Sequence, residues 1–126
     1  MAKVAFKTTE LIDLADQLDR WAELGDQAVI RAIRETADDV YDEQFRRVPV
    51  DSGDTRDSIT VLYADQGRTA SIGPTNRDDS GKPVGFFIEY GARGIEPVPF
   101  VRQSAKHART ALARRLDDEL ARVFSS

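Results

Sequence analysis

The chain has 126 residues, the common length of one domain and enough to bury a core without metal or disulfide staples. It contains no cysteine and one histidine, His107, which excludes a disulfide framework, a thiolate metal site and a histidine-based metal cluster. The formal net charge is −4, from 22 acidic and 18 basic residues, and this balance argues against a dedicated nucleic-acid-binding protein.

Two helices are predicted in the N-terminal third of the chain. The first covers residues 9–23 and ends at Gly25, a residue that commonly follows a helix end. Its apolar face consists of Leu11, Leu14, Leu18 and Trp21. The second runs from Asp26 to about Arg47, because a helix does not continue easily into Pro49. Its apolar stripe consists of Val29, Ile33, Thr36, Ala37, Val40, Gln44 and Val48, flanked by Ile30, Tyr41 and Phe45.

A β-hairpin is predicted after a turn-rich connection at residues 49–57. Residues 58–64 alternate in polarity as a half-buried strand does, and Asp65-Gln66-Gly67 supplies the tight turn. Residues 68–73 form the returning strand. The inward side chains are Ile59, Val61 and Tyr63 on the first strand and Ala70 and Ile72 on the second.

The remaining segments alternate between polar and apolar. Residues 74–83 have no apolar side chain apart from two prolines, which predicts an exposed, mobile loop. Residues 84–91, VGFFIEYG, are too apolar for a surface loop and fit a further strand or a short helical turn; periodicity does not decide between them. After an extended Pro97–Pro99 segment, a final helix is predicted over Phe100–Phe124. Its apolar stripe consists of Val101, Ala105, Ala108, Leu112, Leu116, Leu120 and Val123.

The order of these elements predicts a single α+β domain over residues 1–126. The predicted architecture has long N-terminal helices, a small antiparallel β-sheet made of the hairpin and a further strand, and a C-terminal helix packed on the sheet. Because residues 74–83 lie between core segments, we interpret them as an exposed loop insertion rather than a linker.

The side chains that could carry catalysis do not converge in the sequence pattern. His107 lies in a basic stretch on the predicted outer face of the last helix. Ser52 lies in an Asp-Ser-Gly turn without the strand–turn–helix setting of a nucleophile elbow. Neighbouring carboxylates such as Asp38 and Asp39 point about 100° apart on a helix, so they form no acid–base pair. We therefore predict no enzyme, no cofactor and no metal site.

Glu89 is the one carboxylate in a strongly apolar setting, next to Ile88 and Tyr90. A carboxylate there could be a perturbed catalytic acid, as in a small hydrolase. The interpretation we favour is that it pairs with a basic side chain such as Arg93 or Arg102.

The N-terminal segment lacks the long apolar core of a signal peptide. The sequence also has no stretch of about 18 consecutive apolar residues, so we expect no membrane-spanning helix and a soluble protein.

Four sequence segments, in this order, are more specific than the general pattern of helices, strands and turns. They are VPVDSG at 48–53, RDSI at 56–59, FIEYG at 87–91 and PVPFV at 97–101. Together they resemble the tail-completion (head–tail joining) family of long-tailed bacteriophages, relatives of the lambda tail protein Z. The resemblance covers about residues 26–124. The chain departs from the family pattern at Ser52, where threonine is usual, and at Gly85-Phe86, where tyrosine–alanine is usual.

The resemblance implies that these segments are architectural. The structural motif residues would be Pro49, Asp51, Ser52, Gly53, Ser58, Glu89, Gly91, Pro99 and Phe100. Proline and glycine shape the exit from helix to sheet, and the Asp and Ser side chains can bond the amides of their own turn. Gly91 would allow a chain reversal, and Phe100 would anchor the start of the last helix.

The resemblance also implies a role by assembly in the neck or tail of the virion, after synthesis in the host cytoplasm. Such proteins look like ring components around the DNA path, and the expected ring is a hexamer or a dodecamer. Expected partners are other neck and tail proteins: the head connector or stopper, and the tail terminator or tail tube. DNA would pass through without specific binding, and no membrane would be involved.

Charge is distributed unevenly and suggests how copies could pair. Residues 1–45 hold eleven acids and five bases, whereas residues 93–126 hold seven bases and four acids. A heterologous contact between the acidic and basic helices could close a ring, although two ordinary solvated faces would give the same pattern. The candidate interface residues are Asp38, Asp42, Arg102, Arg109, Arg114 and Arg115. The alternative function is a small nucleic-acid-binding accessory protein that uses the basic C-terminal helix.

Overall fold

The computed structural model describes residues 8–125, with side chains from residue 16 onward. In chain order the elements are α1 (Thr8–Arg47), α2 (Asp54–Asp57), β1 (Ile59–Ala64), β2 (Thr69–Pro74), α3 (Val84–Tyr90), α4 (Phe100–Ala105) and α5 (Ala108–Ser125). A short 3₁₀ turn, Asp65–Gly67, joins the two strands. The α+β class predicted from the sequence is confirmed: a long N-terminal helix, an antiparallel pair of strands and a C-terminal helix.

Helix α1 is continuous over 40 residues, so the prediction of two helices separated at Gly25 was wrong. At about 1.5 Å per residue it is roughly 60 Å long. Gly25 keeps right-handed helical backbone, because α1 packs on α5 on both sides of it: Trp21 contacts Phe124, and Arg31 pairs with Glu119. A glycine inside a helix costs about 1 kcal/mol relative to alanine, which such packing outweighs. The predicted orientations of Leu11 and Leu14 fall outside the described side chains.

The hairpin has the predicted strands and turn. β1 and β2 pair antiparallel, with Val61 opposite Ile72. Gly67 closes the turn with φ +91°, and a Cβ there would lie 3.2 Å from Ile30 Cγ2, so the turn rests directly on α1. The predicted inward position of Tyr63 is only partly realised, because 43% of this residue is exposed.

The sheet formed by the described residues has two strands, and the further strand predicted at residues 84–91 is instead helix α3. Helical periodicity turns Gly85 and Glu89 inward while Phe86 and Tyr90 face solvent. Gly85 lies so close to Pro74 that a Cβ would come within 2.3 Å of the proline Cγ. The helix therefore brings its backbone against the end of β2.

The predicted single C-terminal helix is divided into α4 and α5 by a turn at Lys106 and His107. Ser104 Oγ donates a hydrogen bond to the carbonyl of Val101 at 2.6 Å, a contact that tends to bend helices. The bend allows both pieces to contact α1. Phe100 of α4 is buried at the C-terminal end of α1, and α5 runs antiparallel along α1.

The described core is small. Val48, Ile59 and Phe100 form its centre, and four half-buried side chains pack around them: Tyr41, Ile72, Ile88 and Val101. Along the α1–α5 contact the buried residues are mainly Ala28, Ala32, Ala37 and Val40, and small side chains of this kind let two helices approach closely. Gln44 is 1% exposed; its Nε2 donates to the carbonyl of Ile72 at 3.0 Å, and its Oε1 has no partner in the described structure.

Replacing Gly25 with alanine tests the continuity of α1. A Cβ at this position meets nothing within 4 Å, so the substitution should raise the free energy of unfolding by about 0.5–1 kcal/mol in urea denaturation. A loss of stability would indicate a break at Gly25. The matched control is Gly85→Ala, which should destabilise because its Cβ would collide with Pro74.

Candidate functional site

The segments that carry the family resemblance meet at the C-terminal end of α1. Val48 and Phe100, from the first and last of these segments, are in direct core contact with Ile59. Gly53 is buried with φ +89°, a backbone conformation that favours glycine, and the chain turns there into α2. Ser52 Oγ accepts a hydrogen bond from the amide of Asp54 at 3.2 Å, so the serine stabilises its own turn.

Ser58 joins three parts of this region. Its hydroxyl donates to the carbonyl of Thr55 at 2.8 Å and accepts the amide of Thr75 at 3.1 Å. Asn76 adds a bond from its Nδ2 to Thr55 Oγ1 at 2.9 Å. The end of α2, the start of β1 and the exit of β2 are thereby held together. Sequence analysis identified Ser58 but missed Thr55 and Asn76, because polar residues in turns give no sequence signal of a long-range partner.

Glu89 is buried and serves as a cap for α4. Its carboxylate accepts the amides of Val101 at 2.8 Å and Arg102 at 3.0 Å, and the Arg102 Nε at 2.8 Å. These two amides lie in the first turn of α4, where helical donors have no partner within the helix. Of the two basic partners considered from the sequence, Arg102 is the one used, and its guanidinium also lies 4.9 Å from the centre of the Tyr90 ring. Glu89 therefore has a structural role in this arrangement.

Gly91 allows the chain to return beside α3. It has φ +82°, and a Cβ there would lie 3.1 Å from both the carbonyl oxygen of Ile95 and Pro97 Cδ. Its amide donates to Phe87 at 2.8 Å, and the amide of Val98 donates to Ile88 at 2.7 Å. The extended segment before Pro99 is therefore attached to α3 before α4 begins.

A polar cleft of about 440 Å³ lies between the 49–55 segment and the loop that follows β2. Its lining includes Asp51, Asp54, Asn76 and Asp78.

The sequence predicted a mobile loop after β2, and residues 77–83 are indeed exposed, but hydrogen bonds within the loop close it. Asp78 Oδ1 accepts the Ser80 hydroxyl and the amides of Ser80 and Lys82. These bonds, chiefly that from the Ser80 hydroxyl, hold the pKa of Asp78 below its ordinary value.

The acidic and basic helix faces meet within one chain. Arg115 pairs with Asp39 and Glu35 and donates to Thr36 Oγ1 at 3.0 Å. Arg102 is likewise engaged by Glu89. The other four candidate interface residues, Asp38, Asp42, Arg109 and Arg114, are exposed and form no ion pair with any side chain described here.

A second cleft, of about 370 Å³, separates α1 from α4 and α5. His107 is exposed on its rim. Glu43, on the opposite wall, is hydrogen-bonded to Arg47 and paired with Arg46, and these contacts, first that with Arg47, hold the pKa of its carboxyl below the ordinary value. Within residues 8–125, no group of three or more His, Asp or Glu side chains is arranged to hold a metal ion.

None of the helices in the described part of the chain combines the length and apolar character needed to cross a bilayer.

Glu89→Ala should lower the free energy of unfolding by about 2–3 kcal/mol, because two amides of α4 and one guanidinium lose a charged acceptor. Arg102→Ala should cost only roughly 1 kcal/mol, because the arginine side chain is 58% exposed and the carboxylate still caps the helix. Urea denaturation followed by circular dichroism measures both. Equal losses in the two variants would contradict the capping role.

Comparison with known proteins places this architecture in a family. Residues 12–91 match the family model described as "Bacteriophage HK97-gp10, putative tail-component". The matched region contains most of α1, the hairpin, the Ser58 contacts and α3 with Glu89. No curated protein and no solved structure matches the chain. Because the model spans well over half of the sequence, the chain belongs to the HK97 gp10-like family of bacteriophage tail components.

Proposed function

We propose that this protein completes the phage tail or joins it to the head connector, as a structural ring around the DNA path. The proposal rests on the family match and on the order of the VPVDSG, FIEYG and PVPFV segments, which resembles tail-completion proteins related to lambda tail protein Z. Its immediate neighbours would be the connector or stopper on the head side and the tail terminator or tail tube on the other.

The observation that carries this proposal is the small core of the described residues, whose centre consists of Val48, Ile59 and Phe100. Phe100 and Gln44 are the largest fully buried side chains in the described region. A chain that buries so little within itself is suited to a particle in which neighbouring subunits cover its surface.

A ring requires two different surfaces on each copy. Asp38 and Asp42 on α1 and Arg109 and Arg114 on α5 are unpaired among the described residues and can supply charges for such a contact. Arg115, which also belonged to the candidate interface, already pairs with Asp39 inside the chain. The net charge of −4 suits a channel through which DNA slides without being held.

A structural role agrees with the use of the buried carboxylate. Glu89 is fully engaged by α4, so it is not available as the acid of a hydrolase. The alternative of nucleic-acid binding by the C-terminal helices has fewer free charges than the sequence suggests, because Arg102, Arg115 and Arg122 each pair with an acidic side chain. Lys106, Arg109 and Arg114 are the basic side chains of these helices that are unpaired among the described residues.

Removal of the gene from its phage should leave DNA-filled heads and finished tail tubes unjoined in the lysate, as seen by negative-stain electron microscopy. Purified protein added to that lysate should restore infectious particles. Normal particles in the absence of the protein would refute the joining role. Failure to form tails at all would instead indicate an earlier role in tail assembly.

The loop after β2 should be needed for joining and not for folding. Arg77 and Pro83 face each other in a β-bridge, so residues 78–82 can be replaced by a two-residue Asn-Gly turn. The shortened protein should keep its thermal unfolding midpoint but fail to restore joining in the lysate assay. The control is Asp79→Asn, an exposed change within the intact loop, which should restore joining. Full activity of the shortened protein would remove the loop from the contact.

A further inference from the structure

The N-terminal part of α1 extends beyond the helix that supports it. Phe124, near the end of α5, contacts Trp21 with ring centroids 5.8 Å apart. Residues 8–20 of α1, called the arm below, therefore continue past the end of α5. Thirteen residues correspond to about 20 Å of helix. Residues 16–20 are all exposed, so no described part of the chain covers this end of the arm.

The arm is amphipathic. Leu18 is 52% exposed, and Phe124 beside its base is 63% exposed. In the sequence, Leu11 and Leu14 precede Leu18 at the spacing of one helix face. A helix face that is apolar over several turns indicates a contact surface, whereas isolated exposed apolar residues do not.

The same chain carries an uncovered apolar groove of about 320 Å³. Its lining includes Ile33, Ala37 and Val40 of α1, Ala70 and Ile72 of β2, and Leu112 of α5. A helix lying in it would contact α1, β2 and α5 together.

The arm cannot fill the groove of its own chain. Leu18 and Ile33 lie fifteen residues apart on one continuous helix, a separation of about 22 Å. Folding back would require α1 to break. An arm that lies in the groove therefore belongs to another copy of the chain.

Charge favours the arm of a second copy as that occupant. The segment 8–24 carries five acidic residues and one basic residue, Arg20. Arg109 is exposed three residues before Leu112, so it lies on the same side of α5 and supplies a positive charge beside the groove that is unpaired among the described residues. Arg68, which lines the groove, is already paired with Asp26 and Asp65. The acidic segment of the arm is thus matched by Arg109 at the border of the apolar groove.

We propose that the arm of each copy lies in the groove of the next, with its apolar stripe on Ile33, Ala37 and Leu112. Arm and groove are different surfaces, so every copy both gives and receives an arm, and the repeated contact closes into a ring if its rotation permits. This inference deepens the ring proposed above and depends on it for its place in the particle.

Engineered cysteines test the contact, because the chain has none of its own. Leu18→Cys and Ala70→Cys are introduced together, and a short bismaleimide is applied to concentrated protein and to particles assembled from it. The two positions are too far apart to be joined within one chain, because residue 70 borders the groove some fifteen residues of helix away from Leu18. We expect a ladder of covalent multimers. A mixture of the two single variants should give dimers and nothing larger.

Two results would overturn the contact. One is crosslinking of Leu18→Cys alone, which would mean that arms pair with each other. The other is the absence of a ladder in both the solution and the particle samples. If no ladder forms but the protein restores joining in the lysate assay, the arm contact is refuted and the neck role stands. If a ladder forms but deletion of the gene causes no joining defect, the neck role is refuted and the arm contact stands.

A matched pair of exposed substitutions separates apolar docking from general effects on α1. Leu18→Gln removes the apolar side chain, whereas Arg20→Gln introduces the same residue on the opposite face of the arm. Leu18→Gln should weaken self-association at least tenfold in analytical ultracentrifugation, and Arg20→Gln should change it less than threefold. Equal effects of the two variants would contradict docking through the apolar stripe.

Discussion

The fold depends most on the contact between the Glu89 carboxylate and the first turn of α4. That carboxylate accepts two backbone amides and the guanidinium of Arg102, enough donors to offset the loss of water around a buried charge. Because α4 begins with Phe100, the same contact fixes the aromatic ring that holds Val48 and Ile59 together. Glu89, whose apolar surroundings suggest a catalytic acid, therefore has a structural role.

Features decided by neighbouring residues could be predicted from the sequence. The hairpin follows from alternating polarity and from Gly67, which has the positive φ that the turn requires. Features decided by packing between distant segments could not be predicted from the sequence. Gly25 has the composition of a helix end, yet contacts with α5 on both sides keep the helix continuous. The 84–90 segment fits the periodicity of a strand and that of a helix. In the structure it is a helix whose backbone lies against Pro74, a contact that no local sequence pattern reveals.

The family segments identified where the candidate site lies but not how it is connected. Ser58 and Glu89 were found from their positions in those segments, and Arg102 was one of two partners considered for Glu89. Asn76 and Thr55 were missed, because the bond between their side chains spans 21 residues of a turn-rich region. Likewise, charge counts suggested pairing between copies, whereas Arg115 reaches Asp39 across 76 residues of the same chain. Sequence reports charge, and only the fold reports which charges are already neutralised.

The length of α1 also has a mechanical consequence. A continuous helix behaves as a stiff lever, and this one is supported from Trp21, beside Phe124, to Val48, beside Phe100, while residues 8–20 project beyond that support. A change of about ten degrees in the direction of the helix moves the tip of this projection, roughly 20 Å long, by about 3.5 Å. Small differences in the packing of α1 are thus converted into larger differences in where the tip points. The curvature of any assembly built through the projection would accordingly be set by the packing of α1 inside each subunit, away from the surfaces that touch.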